Sequence, residues 1–194
     1  MNNPARIREA IKDSIGVKEI LAADPEMIRT IEMIAETCSR ALCDGQKIMF
    51  CGNGGSAADA QHLAAELSGR FYFDRKPMAA EALTVNTSYL TAVSNDYSFE
   101  DVFSRLVEGS GRPGDILVGL STSGNSENVV RAFAKAHESG IITVALTGED
   151  GGKLAPLADY LICVPSADTP RIQESHILIG HIICELIENH LFRV

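Results

Sequence analysis

Two hydrophobic rhythms divide the chain. From about Ala5 to Cys43, apolar residues such as Ile28, Ile31, Ile34 and Ala35 recur at three- and four-residue spacing. That is the period of a helix with one buried stripe. Asp24-Pro25 breaks the stretch with the residue types that begin a helix, an acidic cap and a proline in the first turn. The segment reads as two helices that precede a sheet. Beyond it, short apolar runs alternate with helical segments. Residues 47–51, 80–85, 115–120, 141–146 and 160–164 read as strands. Helices are expected near 56–68, 87–93, 99–108 and 128–137, and a last one from about 170 to 191. Strands rich in Val, Ile and Leu and separated by helices predict an α/β fold, a parallel sheet covered on both faces. No internal repeat, linker or low-complexity tract intervenes, and 194 residues suit one substantial domain.

Ligands of such sheets sit beyond the carboxyl ends of the strands, and two loops there carry candidate chemistry. Gly52-Asn53-Gly54-Gly55-Ser56 opens one helix, and Ser121-Thr122-Ser123-Gly124-Asn125-Ser126 opens another. Free N–H groups and the positive dipole end at a helix start favour an anion, and hydroxyls add donors suited to phosphate. The competing reading of the second loop is a polar turn in which Ser126 merely caps its helix. Two such loops at one sheet end favour the phosphate. Gly52-x-Gly54-x-x-Ala57 also fits a dinucleotide pattern, but Glu81 falls inside a strand rather than at the ribose-binding position. Gly119-Leu120-Ser121-Thr122-Ser123 lacks the final glycine of a nucleophile elbow.

His62 and Glu66 lie four residues apart on one helix face, where they can hold a metal or act as an acid/base pair. The final helix offers Gln173, Glu174, His176 and His181. Gln173 and His181 are separated by about 80° around the axis, with His176 about 60° to the other side. Spacing alone does not choose between the two histidines. His137 and His190 have no partner pattern and read as surface or structural residues.

A net charge of −9 argues against a nucleic-acid or anionic-membrane surface, so an anionic ligand needs local attraction. Cys38, Cys43, Cys51, Cys163 and Cys184 are odd in number and form no C-x-x-C pair; they read as reduced thiols of a cytoplasmic protein. The N-terminal MNNPARIREAIKDS lacks the apolar core of a signal peptide, and no apolar run is long enough to span a membrane.

CGNGGSAADAQHLAAE, SNDYSFEDVFSR, LSTSGNSENVV, LTGEDGGKLA and RIQESHILIGHIICELIE together resemble the sugar-isomerase (SIS) domain family, and within it the isomerases of heptose phosphates. The resemblance covers nearly the whole chain. It implies a flavodoxin-like three-layer sandwich with five parallel strands across residues 1–194, with 1–45 as a helical extension packing on the domain and at an oligomer interface. It implies a homotetramer with active sites between subunits. Its metal ligands fall on His62, Glu66, Gln173 and His181, with one zinc ion per subunit. Its phosphate contacts fall on Ser121, Thr122, Ser123 and Ser126, and its sugar contacts on Asn53, Gly54, Gly55, Asn95, Asp96 and Gln173. The implied reaction converts sedoheptulose 7-phosphate to D-glycero-D-manno-heptose 7-phosphate, the first step toward nucleotide-activated heptose for bacterial surface glycans. Glu66 and His181 are the expected proton-transfer groups, with Glu66 also touching substrate. In some members an aspartate precedes the metal-binding glutamine by three residues; that place here is Pro170, with Asp168 nearby. A non-catalytic sugar-phosphate-binding regulator, or a relative that binds the replication initiator, is the competing class. The replication-associated relative lacks the counterparts of Glu66 and His181, and this chain has both.

Overall fold

The computed structural model describes residues 3–192. α1 (Asn3–Ala23) and α2 (Pro25–Cys43) are separated where expected: Asp24 accepts from the N–H groups of Glu26 at 2.9 Å and Met27 at 3.1 Å, and Pro25 opens α2. Then follow β1 (Ile48–Gly52), α3 (Gly55–Ser68), β2 (Ala80–Ala82), α4 (Thr87–Asp96), α5 (Val102–Ser110), β3 (Ile116–Ser121), α6 (Glu127–Glu138), β4 (Ile142–Thr147), β5 (Tyr160–Cys163) and α7 (Thr169–Phe192). The sheet is parallel throughout, in the order β2-β1-β3-β4-β5. This is the flavodoxin-like order, whose direction of winding switches between β1 and β3. The loops after those two neighbouring strands are the two glycine- and hydroxyl-rich ones.

Alternation along the strands builds two cores. Ile48, Phe50, Ile116, Val118, Leu120, Val144, Leu146 and Ile162 face α2, α3 and α7; Met49, Cys51, Leu117 and Ala145 face α4, α5 and α6. Burial in these cores pushes the thiols of Cys38, Cys51 and Cys184 up to about 12. All five cysteines are free thiols.

The structure departs from the expected elements in three places. β2 is three residues long, because the chain leaves the sheet edge after Ala82 to reach the Asn86 cap of α4. The helix expected from 99 opens with a 3-10 turn, Phe99–Asp101. A second 3-10 segment, Gly152–Leu157, was not foreseen, since Pro156 and paired glycines read as plain loop.

α2 packs on α7 and the sheet, whereas α1 buries only Leu21. Ile7, Ile11, Ile15 and Ile20 of α1 are 50–59% exposed. Side-chain ties dock α1: Arg171 donates to the Ala10 carbonyl at 2.9 Å, and Glu174 accepts from Ser14 Oγ at 2.7 Å. Among the described residues no helix is long and apolar enough to cross a membrane.

α3 and α7 both start at the carboxyl edge of the sheet and run side by side in the same direction. Gly180 permits their approach, for a Cβ there would lie 2.5 Å from the Leu63 methyl carbons. Gly180→Ala gains about 1 kcal/mol of helix propensity but overpacks the seam, which costs about 1–3 kcal/mol. The expected result is net destabilisation, read as a lowered thermal midpoint; a raised midpoint would show that the seam has slack.

Candidate active site

Two groups of side chains lie along the α3–α7 layer. The first surrounds the anion loops. α3 begins after Gly54 and α6 after Ser126, and neither N-terminus is capped by a side chain, whereas Asp24 caps α2 and Asn86 caps α4. Ser126 does not cap α6: its Oγ lies 3.0 Å from Ser121 Oγ. Ser56 and Ala57 N–H donate to the carbonyls of Asn53 at 3.0 Å and Gly54 at 3.1 Å, so among the described residues the N–H groups left without a hydrogen bond are those of Gly55 at the start of α3 and Glu127 and Asn128 at the start of α6, the condition for anion binding. The two loops are tied by reciprocal amide bonds, Asn53 Nδ2 to Asn128 Oδ1 and Asn128 Nδ2 to Asn53 Oδ1, both 2.9 Å. Asn128 had no signal in the sequence beyond its place in the first turn of a helix.

The second loop leans on the unforeseen 3-10 segment. Gly124 adopts φ +64°, and a Cβ there would lie 2.1 Å from the Gly151 carbonyl oxygen, so only glycine fits. Leu154 N–H donates to the Gly124 carbonyl at 3.0 Å and Lys153 N–H to Asn125 Oδ1 at 3.1 Å. A polar cleft opens beside Thr122 and Ser123, closed by Glu149, Asp150 and Ser166.

The second group is a triad. His62 Nε2 lies 3.0 Å from Glu66 Oε1 and 3.3 Å from His181 Nε2, and one donor atom from each of the three residues falls within 4.8 Å of the others. A single ring nitrogen of His62 thus meets a carboxylate oxygen and another imidazole nitrogen. One proton satisfies one of them; a cation satisfies all three. Tetrahedral zinc with nitrogen ligands at about 2.0–2.1 Å separates its donors by about 3.3 Å, so the spacing fits, and three protein ligands leave a position open for substrate. Burial, then His62, push the His181 pKa below the ordinary imidazole range against the pull of Glu66. The neutral ring is the form that binds metal.

Gln173 stands elsewhere within the chain. Its amide rests on Gly55, where a Cβ would be 2.6 Å from Nε2, and it precedes His181 by eight residues, about 12 Å of helix rise. It joins the glycine loop rather than the triad. Asn95 Nδ2 donates to Asp96 Oδ1 at 2.9 Å in the last turn of α4, and no hydrogen bond among the described residues ties that pair to either group. Asp168 sits just before α7, its carbonyl accepting from Ile172 N–H at 3.0 Å.

The two histidines of α7 separate cleanly. His181 belongs to the triad. His176 is fully buried, with Nε2 3.0 Å from the Thr147 carbonyl oxygen and Nδ1 without a partner, and burial lowers it to about 4. It is a core strut from α7 to β4, and the neutral ring donates that bond.

Residues 17–148 match the SIS domain family, and the flavodoxin-like sheet with two helix starts at its switch point agrees with that fold. The chain is 54% identical over 187 residues to the phosphoheptose isomerase of Aneurinibacillus thermoaerophilus, covering 96% of this chain and 94% of that one. The solved phosphoheptose isomerase of Neisseria gonorrhoeae matches with a TM-score of 0.91 at 45% identity, over 97% of this chain and all of that one. The Francisella tularensis enzyme matches at 0.92 and 36%, over 97% and 100% of the two chains. The chain belongs to the phosphoheptose isomerase family of SIS-domain enzymes.

His176 makes stability depend on pH. Its folded pKa of about 4 lies below the ordinary 6.5, so between those values the unfolded chain binds the extra proton. Its contribution is complete above 6.5 and is lost as pH falls toward 4, by about 3 kcal/mol. Denaturant unfolding across that range should show the loss, and His176→Gln, which donates without titrating, should flatten it. An unchanged slope in the variant would assign the acid sensitivity to other groups.

Proposed function

We propose that the chain is an aldose–ketose isomerase that converts sedoheptulose 7-phosphate to D-glycero-D-manno-heptose 7-phosphate through an enediol(ate). The observation that carries the reading is the convergence of His62, Glu66 and His181 on one point, two to three turns along the helix opened by the Gly52–Ser56 anion loop. The phosphate is gripped by Ser121, Thr122, Ser123 and Ser126 with the free N–H groups of α6. Asn53, Gly54, Gly55, Asn95, Asp96 and Gln173 contact the sugar. The net charge of −9 gives no long-range help, so the helix ends and the bound cation provide the local attraction.

The ketose loses a proton from C1 and gains one at C2, while the carbonyl moves from C2 to C1. The Glu66 carboxylate takes the carbon-bound proton. His181 exchanges the proton between the two oxygens as acid and base. His62, Glu66 and His181, with Gln173 reaching in from a neighbouring subunit as a further ligand, would hold a zinc ion, which when bound would supply electrophilic assistance to those oxygens. Glu66 has two oxygens, and only Oε1 approaches His62, which leaves Oε2 for the substrate.

Gln173 and the triad lie about 12 Å apart along α7 within one chain, which supports active sites completed between subunits. The exposed isoleucines of α1 support the same assembly, a homotetramer in which that stripe is buried. Sedimentation at the mass of one chain would remove this part of the proposal. A cytoplasmic setting agrees with five unpaired thiols.

In D₂O with sedoheptulose 7-phosphate, the proton spectrum should show aldoheptose 7-phosphate deuterated at C2, and chelation should abolish it. Glu66→Gln should lower kcat by about 10²-fold or more, with KM changed far less. Turnover that survives chelation would remove the metal. Binding without turnover would favour the non-catalytic regulator.

A further inference from the structure

The loop that joins α3 to β2 is organised by one buried ion pair. Glu188 of α7 is wholly buried and accepts from the backbone N–H groups of Phe71 at 2.9 Å, Tyr72 at 2.7 Å and Phe73 at 3.2 Å. It also accepts from Arg75 Nε at 2.6 Å, and the two side chains are 0% and 2% exposed. The remaining guanidinium nitrogens of Arg75 donate to the carbonyls of Glu66 at 2.8 Å, Leu67 at 2.9 Å, Gly69 at 3.2 Å and Lys76 at 3.1 Å. The carbonyls of Glu66 and Leu67 belong to the last turn of α3, where helix geometry leaves them unpaired. Arg75 is thus the C-terminal cap of the helix that carries His62 and Glu66. Glu188 is the counter-charge that fixes this cap to the helix that carries His181.

The same loop delivers an aromatic ring. Phe71 stacks on His181, with centroids 5.5 Å apart and planes 26° apart. On another side the edge contact with His62 completes the packing, at 4.9 Å and 70°. Tyr72 backs Phe71 at 4.4 Å. His181 therefore has little rotational freedom, and what restricts it is the segment that Glu188 anchors. A buried ion pair is poor value for stability alone, because well-packed apolar residues do as well or better. Its distinctive property here is directional. One fork and one carboxylate fix a helix end, a loop and a second helix together.

We propose that Arg75, Glu188 and Phe71 are positioning residues for the triad: the buried pair locks the Glu66 turn of α3 to α7, and Phe71 holds the His181 ring at metal-binding distance from His62. The inference rests on the reading of the triad as a metal-dependent isomerase site. Groups that orient metal ligands from outside change affinity or activity by about 10–100-fold when removed.

The test uses the full chain and Phe71→Leu and Arg75→Lys variants, with Co(II) affinity followed by absorbance, kcat and KM for sedoheptulose 7-phosphate, and thermal unfolding. Phe71→Leu should unfold within a few degrees of the parent. It should nonetheless bind Co(II) about tenfold more weakly and lose about tenfold in kcat, with KM nearly unchanged. Arg75→Lys keeps the charge beside Glu188 but not the fork to Glu66 and Leu67, and should show the larger loss of affinity. Phe71→Leu with parental Co(II) affinity and kcat would overturn the proposal, and it decides the matter alone if Arg75→Lys does not fold. A parent that binds Co(II) without turnover would overturn the isomerase reading, and the affinities would still judge the positioning. A parent that binds no Co(II) would remove both.

Discussion

The close, same-direction packing of α3 against α7 is the constraint on which the site depends. Both helices descend from the carboxyl edge of the sheet, so their residues meet in register: Gly55 with Gln173, His62 with His181, Leu63 with Gly180. A one-residue slip in either helix would rotate a side chain by about 100° and shift it by about 1.5 Å, enough to part the imidazoles. The seam is therefore fixed beside the triad, by a glycine that admits Leu63 and by a buried guanidinium that ends α3. His176 adds a third fixture, from α7 to the end of β4.

The sheet supplies the other half of the design. The winding of a parallel sheet reverses between β1 and β3, and the two helices that leave those strands diverge to opposite faces. Their N-termini stay together at the edge. Asn53 and Asn128 bridge them with paired amide bonds, so the two loops are tied to each other. Leaving both starts without a side-chain cap sacrifices about 1 kcal/mol each.

Much of this was legible in the chain itself. Apolar runs located every strand, because a parallel strand buried on both faces leaves few polar positions. The apolar run at 80–85 outlasts β2 because the chain turns away after Ala82 toward the Asn86 cap of α4. The anion loops and the His62–Glu66 pair were readable as local spacing. What spacing could not convey was long-range contact. His176 and His181 differ only in which neighbour each meets, Thr147 or His62. Gln173 and His181 share a helix, yet the register with α3 sends one to the glycine loop and the other to the triad. Phe71, Arg75, Asn128 and Glu188 carry no motif, since their roles arise from partners 75 to 117 residues distant or from a loop fold that periodicity does not encode.

The α3–α7 seam also contains a natural reporter. Cys184 lies beside Leu63 and Gly180, and burial pushes its thiol up to about 12, which keeps it protonated at neutral pH. In the closed molecule it is chemically silent to alkylating and oxidising reagents, as are Cys38 and Cys51, while Cys43 stands exposed. The rate at which a thiol reagent reaches Cys184 therefore measures how often the packing around α7 opens, with no label added and no residue of the candidate site disturbed.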